Sequence, residues 1–224
     1  MTRTRIKICG VRDVATATAA VDAGADAIGL VFVDRSPRKV DLDEAHRIVR
    51  ALPAFVQPVG LFSDAPWHHV RDVADAVGVR TVQLHGPEGP GYCARLRHLR
   101  IIKAIGFDPD RLRERLDPWR SGVTNIAGLL LDTPPDARTH GELTGGSGHA
   151  FDWAAYARLE ADGAFHDLPH RILAGGLTPD NVAEAIRVAR PFAVDVSSGV
   201  ESSRGVKDAA KIRAFCAAVR AASD

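Results

Sequence analysis

The sequence predicts an α/β protein in which eight strand–helix units close into a (β/α)8 barrel, the TIM-barrel architecture. Three observations carry that expectation. Short apolar, β-branched runs end in Gly, Asp or His. Each is followed by a loop and an Ala/Arg/Glu-rich segment with helical spacing. The alternation occurs eight times in 224 residues, about 28 residues per unit, which is a usual βα length. A doubly wound open sheet is the rival, but the first strand runs into "CGVRD" and not into a G-x-G-x-x-G turn. No shift in composition divides the chain, so residues 1–224 are expected to form one domain.

The elements follow in order. The strand segments are "RIKIC" (5–9), "AIGLVF" (27–32), "QPVGLF" (57–62), "TVQLH" (81–85), "RIIKAIG" (100–106), "AGLLLD" (127–132), "RILAGG" (171–176) and "FAVDVSS" (192–198). The first helix runs from Asp13 and stops at Gly24. The second starts at Asp41 and the third ends at Gly78. "GYCARLRHL" and "DPDRLRERLDPW" supply the fourth and fifth, and the sixth begins near Phe151. The seventh, "TPDNVAEAIRVA", has Thr178 as N-cap and Pro179 at its first helical position. "KDAAKIRAFCAAVRAA" is the eighth. The long segment 133–150, with "TGGSG" at 144–148, reads as a functional lid with a possible hinge or further phosphate contact.

Composition narrows the function. The formal net charge is +1 with mixed signs, which gives no reason to expect nucleic acid or an anionic membrane as partner. Cys9, Cys93 and Cys216 are far apart and odd in number, so neither a disulfide framework nor a metal site is expected. No secretory leader or membrane span is read, and a cytoplasmic location is expected.

In a barrel of this kind the active site lies at the C-terminal ends of the strands. Side chains alternate along a strand, so Lys7 and Cys9 share one face and Ile8 takes the other. With Ile8 against the helices, Lys7 and Cys9 point into the barrel. A nearby ammonium favours the reactive thiolate. The bland alternative makes Cys9 a small buried hydrophobe, but a core lysine is expensive without a task. Asp132 ends a wholly apolar run, either as a turn residue or as an acid facing Cys9 across a small ligand, the arrangement proton transfer needs. Gly175, Gly176, Ser198 and Gly199 follow strands 7 and 8, where this architecture most often binds phosphate. Arg38 lies in a loop where its guanidinium can hold a carboxylate in a bidentate pair, or stay solvated. His85 and Asp195 sit on or near the same rim and also have structural readings, Asp195 as a partner for Lys7.

The ordered motifs "KICG" (7–10), "GLVF" (29–32), "SPR" (36–38), "VGLF" (59–62), "VQLHG" (82–86), "LLLD" (129–132), "GGSG" with "FDW" (145–153), "LAGGLTPDNV" (173–182) and "DVSSGVE" (195–201) resemble the phosphoribosylanthranilate isomerase family of tryptophan biosynthesis. The resemblance covers nearly the whole chain. It implies a cofactor-free and metal-free Amadori rearrangement of N-(5-phosphoribosyl)anthranilate to 1-(2-carboxyphenylamino)-1-deoxyribulose 5-phosphate, in a monomer or homodimer. By the family's pattern Cys9 is the general base and Asp132 the general acid. Arg38 holds the anthranilate carboxylate, and the Gly175–Gly176 and Ser198–Gly199 loops hold the phosphate. Lys7, His85 and Asp195 are supporting groups. Two alternatives stand beside this reading: the phosphoribosyl isomerase of histidine biosynthesis, whose first strand generally ends in aspartate, and a non-catalytic barrel that binds a sugar phosphate.

Overall fold

The computed structural model describes residues 3–120, 123–133 and 151–223. The segment read above as a lid, with its "TGGSG", lies outside the described residues apart from Thr133. Eight parallel strands form a closed ring: β1 (Arg5–Cys9), β2 (Ala27–Val31), β3 (Gln57–Phe62), β4 (Thr81–Leu84), β5 (Arg100–Gly106), β6 (Ile126–Asp132), β7 (Arg171–Leu173) and β8 (Ala193–Val196). Each pairs with its sequence neighbours, and β8 returns to β1 in a register that sets Lys7 opposite Asp195. The predicted barrel is therefore the observed one.

Alternation divides the core into an outer and an inner layer. Ile6, Ile8, Ile28, Leu30, Leu129 and Leu131 point outward and pack with the helices in one large buried cluster. Val59, Ile102, Ala104, Leu130, Ile172 and Ala193 fill the barrel interior. Both faces of every strand are thus covered, which is why the strands read as nearly continuous apolar runs.

The helices are α1 (Val14–Asp22), α2 (Leu42–Ala51), α3 (Trp67–Val77), α4 (Pro90–Cys93), α5 (Leu112–Leu116), α6 (Trp153–Ala161), α7 (Val182–Ala189) and α8 (Ala209–Ser223). Asp13, Asp41 and Asp152 cap α1, α2 and α6 by accepting from the amides of Thr16, Glu44 and Ala155. The fourth and fifth helices are shorter than the sequence suggests. Gly89, Pro90 and Gly91 surround the start of α4, and a 3₁₀ turn at Ala94–Leu96 replaces its continuation. After α5 the chain also turns 3₁₀, over Asp117–Trp119, because Pro118 has no amide to continue the ladder. The seventh helix begins at Val182, not at Thr178. Residues 179–181 form a turn in which the Asn181 carboxamide accepts from the Thr178 amide at 2.8 Å, so Asn181 takes over the turn-stabilising part assigned to Thr178. Strands β2, β4, β7 and β8 also stop one to three residues early, releasing Phe32, His85, Gly175, Gly176 and Ser198 into the loops at the barrel mouth. Among the described residues no helix is long and apolar enough to cross a membrane.

Candidate functional site

A cavity of about 600 Å³ opens at the C-terminal ends of the strands. Cys9, Arg38, His85, Asp132 and Asp195 line it, together with Gly175, Gly176 and Ser198. Eight of the ten residues singled out from the sequence therefore converge on one space. Lys7 lies just below, in contact with the group it was expected to serve. Gly199 sits in the 3₁₀ turn Ser198–Val200 directly behind the rim.

Lys7 and Cys9 occupy the inner face of β1, as the alternation requires, while Ile8 is wholly buried against the helices. Lys7 Nζ donates to Asp195 Oδ2 at 2.8 Å across the β1–β8 pair. Burial opposes the lysine's charge, but Asp195 and Cys9 outweigh it and hold its pKa above the ordinary value. Burial pushes the Cys9 thiol up, although Lys7 and Lys207 pull it the other way. The ammonium thus lowers the cost of the thiolate against the burial that opposes it. Asp195 is raised in turn, first by burial and further by the neighbouring Asp132, and its Oδ1 has no hydrogen-bond partner.

Asp132 ends β6 and meets His85, whose Nε2 lies 3.3 Å from Asp132 Oδ2. The other ring nitrogen, Nδ1, lies 3.0 Å from the Gln83 amide nitrogen. The tautomer assigned from this network has Nδ1 accepting from Gln83 and Nε2–H donating to Asp132. Gln83 is almost fully buried and its Oε1 is unpartnered. Sequence reasoning passed over Gln83, yet it stands two residues before His85, and that spacing was the available signal.

Two glycines allow these groups to come together. Gly10 follows Cys9 with φ +78°, and a Cβ there would lie 2.7 Å from Cδ of Arg38, so the arginine stem crosses the end of β1 only over a glycine. Gly175 has φ +84°, and a Cβ there would lie 2.8 Å from Asp132 Oδ1. The turns after β6 and β7 therefore touch at the acid.

Arg38 is buried with its fork already engaged. Its Nε and Nη2 donate to Glu201 Oε1 and Oε2 at 2.7 and 3.0 Å. The carboxylate that Arg38 grips in bidentate fashion in this structure is the protein's own Glu201. Nη1 takes no part in that pair. After β7 the Gly175–Gly176 turn precedes α7, with Asn181 Nδ2 donating to the Gly176 carbonyl at 2.9 Å. The Ser197 hydroxyl donates to the Cys9 carbonyl at 3.1 Å, tying the loop after β8 to the end of β1. The arrangement offers a thiol and a carboxyl with their supporting groups, a cation, and two small-residue loops around one cavity.

A family model described as N-(5'phosphoribosyl)anthranilate (PRA) isomerase matches residues 6–218. An N-(5'-phosphoribosyl)anthranilate isomerase from Pelobacter propionicus is 43% identical over 212 residues, 94% of this chain and 93% of that protein. The crystal structure of phosphoribosyl anthranilate isomerase from Thermotoga maritima is similar, with TM-score 0.85 and 38% identity, over 97% of this chain and 99% of that one. A crystal structure of phosphoribosyl anthranilate isomerase in complex with reduced 1-(o-carboxyphenylamino)-1-deoxyribulose 5-phosphate has TM-score 0.82 and 36% identity, with the same coverage.

Proposed function

Since the chain belongs to the N-(5'-phosphoribosyl)anthranilate isomerase family, we propose that its cavity carries out that isomerisation, in tryptophan biosynthesis, with Cys9 as general base and Asp132 as general acid. The observation that carries the role assignment is the convergence of those two side chains, from β1 and β6, on one cavity. The histidine-pathway isomerase and the non-catalytic binder are set aside by the family.

The reaction opens the ribose ring, forms an iminium, and moves a proton from C2′. Asp132 gives its proton to the furanose oxygen as the C1′–O bond breaks. The His85 Nε2–H on Oδ2 leaves Oδ1 to carry that proton, and Gln83 holds the ring in the donating orientation. The nitrogen lone pair forms the iminium, which acidifies the C2′ hydrogen. Cys9, as thiolate, removes it to give the enolamine, and return of a proton at C1′ with loss of the proton on the 2′ oxygen yields the ketone. Lys7 lies against the sulfur and offsets the charge it acquires.

The two ends of the substrate fix the sugar between base and acid. The loops at Gly175–Gly176 and Ser198–Gly199 receive the phosphate, and Arg38 meets the anthranilate carboxylate with the Nη1 edge that Glu201 leaves free. Such positioning removes much of the entropic part of the barrier.

The test follows the loss of substrate fluorescence. The parent protein turns over phosphoribosylanthranilate, while Cys9→Ala and Asp132→Asn each lose on the order of 10²–10⁴ in kcat and still bind product. Near-parental kcat in either variant would remove that residue from its assigned role.

A further inference from the structure

Beyond β8 the chain makes a small antiparallel hairpin, β9 (Glu201–Ser203) and β10 (Val206–Lys207). Its outer residues, Ser202, Ser203, Arg204 and Val206, are exposed, so it adds little to the apolar core. Its two inner residues are charged and almost wholly buried: the side chains of Glu201 and Lys207 are 4% and 2% exposed.

The Glu201 carboxylate accepts four hydrogen bonds. Arg38 donates two, Lys207 Nζ donates to Oε1 at 2.8 Å, and the Gly205 amide donates to Oε2 at 3.1 Å. Burial works against the negative charge, but these donors overcome it and hold the carboxyl down at about 2. Lys207 does not stop at Glu201. Its Nζ also donates to the Ser197 carbonyl at 3.0 Å and to the Ser197 hydroxyl at 3.2 Å. One continuous chain of bonds therefore runs from Arg38, through Glu201 and Lys207, to the loop after β8.

Buried ions are costly, and a hairpin without a core gives no return in packing for them. What they join are two parts of the cavity wall, the guanidinium on one side and Ser197–Ser198 on the other. We infer that Glu201 and Lys207 are positioning residues that hold Arg38 at a set distance from the Ser197–Gly199 loop, and so match the site to the span between a carboxylate and a phosphate on one ligand. This rests on the substrate assignment proposed above. Glu201 also restricts how the ligand carboxylate approaches, because Nε–H and one Nη2–H are already taken and only the end of the fork at Nη1 and Nη2 is left.

The experiment is a kinetic cycle with phosphoribosylanthranilate on the full chain. Glu201→Gln and Lys207→Met each raise KM by roughly ten- to hundredfold, the range expected for loss of a charged hydrogen-bond partner, with kcat near the parental value. In an Arg38→Ala background, Glu201→Gln adds little more, because the group it positions is gone. A role confined to stabilising the hairpin would instead lower the melting temperature and leave KM where it was. If Glu201→Gln does not fold, Glu201→Asp measured alone and on Arg38→Ala makes the same comparison. Unchanged KM in the single variants, or KM effects that multiply independently of Arg38, would overturn the inference while leaving an active parent and the proposed function standing. A parent that does not turn over the substrate would remove both.

Discussion

Two lysine–carboxylate pairs are buried in the same ring of strands, and their surroundings set them apart. Lys103, on β5, donates to the Leu84 carbonyl at 3.2 Å, the Gly86 carbonyl at 2.5 Å and Glu88 Oε2 at 3.2 Å. Glu88 in turn accepts from the amides of Asp64 and Gly86. That network is saturated, and it ties down the loops that follow β3 and β4. Lys7 meets Asp195 and faces a thiol, and Asp195 keeps one buried oxygen without a partner. Asp195 and Cys9 line the cavity, whereas Lys103 and Glu88 do not. Even the lysines' acidities diverge: Asp195 raises Lys7, and burial lowers Lys103. A satisfied polar cluster builds structure, and one that keeps an unpartnered oxygen beside a cavity has room for a further partner.

The comparison can be broken most forcefully at Lys103. Lys103→Met takes a donor from two carbonyls and leaves the buried Glu88 carboxylate with backbone amides alone, and should cost about 3–5 kcal/mol in denaturant unfolding. The folded variant should keep a near-parental kcat. A collapse of kcat in a well-folded protein would show that the two lysines do not differ in kind. Lys7→Met should behave the other way, losing on the order of 10–100-fold in kcat with a smaller loss of stability. Asp195, already raised by burial, can take up a proton once the ammonium is gone. A variant unfolded as badly as Lys103→Met would contradict that.

Alkylation of Cys9 by iodoacetamide sharpens the same contrast more gently. Burial sets the thiol above its ordinary 9.0, so the rate should keep climbing as pH passes that value. Lys7→Met should move the rise to still higher pH, and Lys103→Met should not move it. The smallest expected signal is the pH dependence of stability. Lys7 is raised in the folded state, so its contribution is complete below 10.5 and is lost as pH climbs through the folded value. Lys103 is lowered, so the unfolded chain binds more protons and stability gains with pH between the folded value and 10.5. Unfolding midpoints of each variant, subtracted from the parent, should show the Lys7 contribution falling with pH above 10.5 and the Lys103 contribution rising with pH below it. Equal slopes would reject the assigned directions.

Most of the fold was legible because a parallel sheet covered on both faces writes itself as apolar β-branched runs. "QPVGLF" and "RIIKAIG" match β3 and β5 end for end. The helices rich in glycine and proline were less legible, since propensity alone does not say when an α-turn gives way to 3₁₀. At the site, Cys9 and Asp132 could be found because each terminates a strand, a position the barrel makes functional. Glu201 could not be found that way. Its partner Arg38 is 163 residues distant, and an acidic residue among serines looks like any solvated turn until the hairpin folds back. Lys103 and Glu88 were hidden for a related reason: the bonds that satisfy Lys103 are mostly to carbonyls, which leave no trace in side-chain identity.

The seam between β1 and β8 has a consequence for how the protein is made. Lys7 and Asp195 are 188 positions apart in the chain, yet they are direct neighbours. A polypeptide still emerging from the ribosome carries the sulfur early and must wait for almost its whole length before that sulfur acquires its surroundings. Function thus arrives in a single late event, and any truncation that removes β8 should yield a fragment with no partial activity.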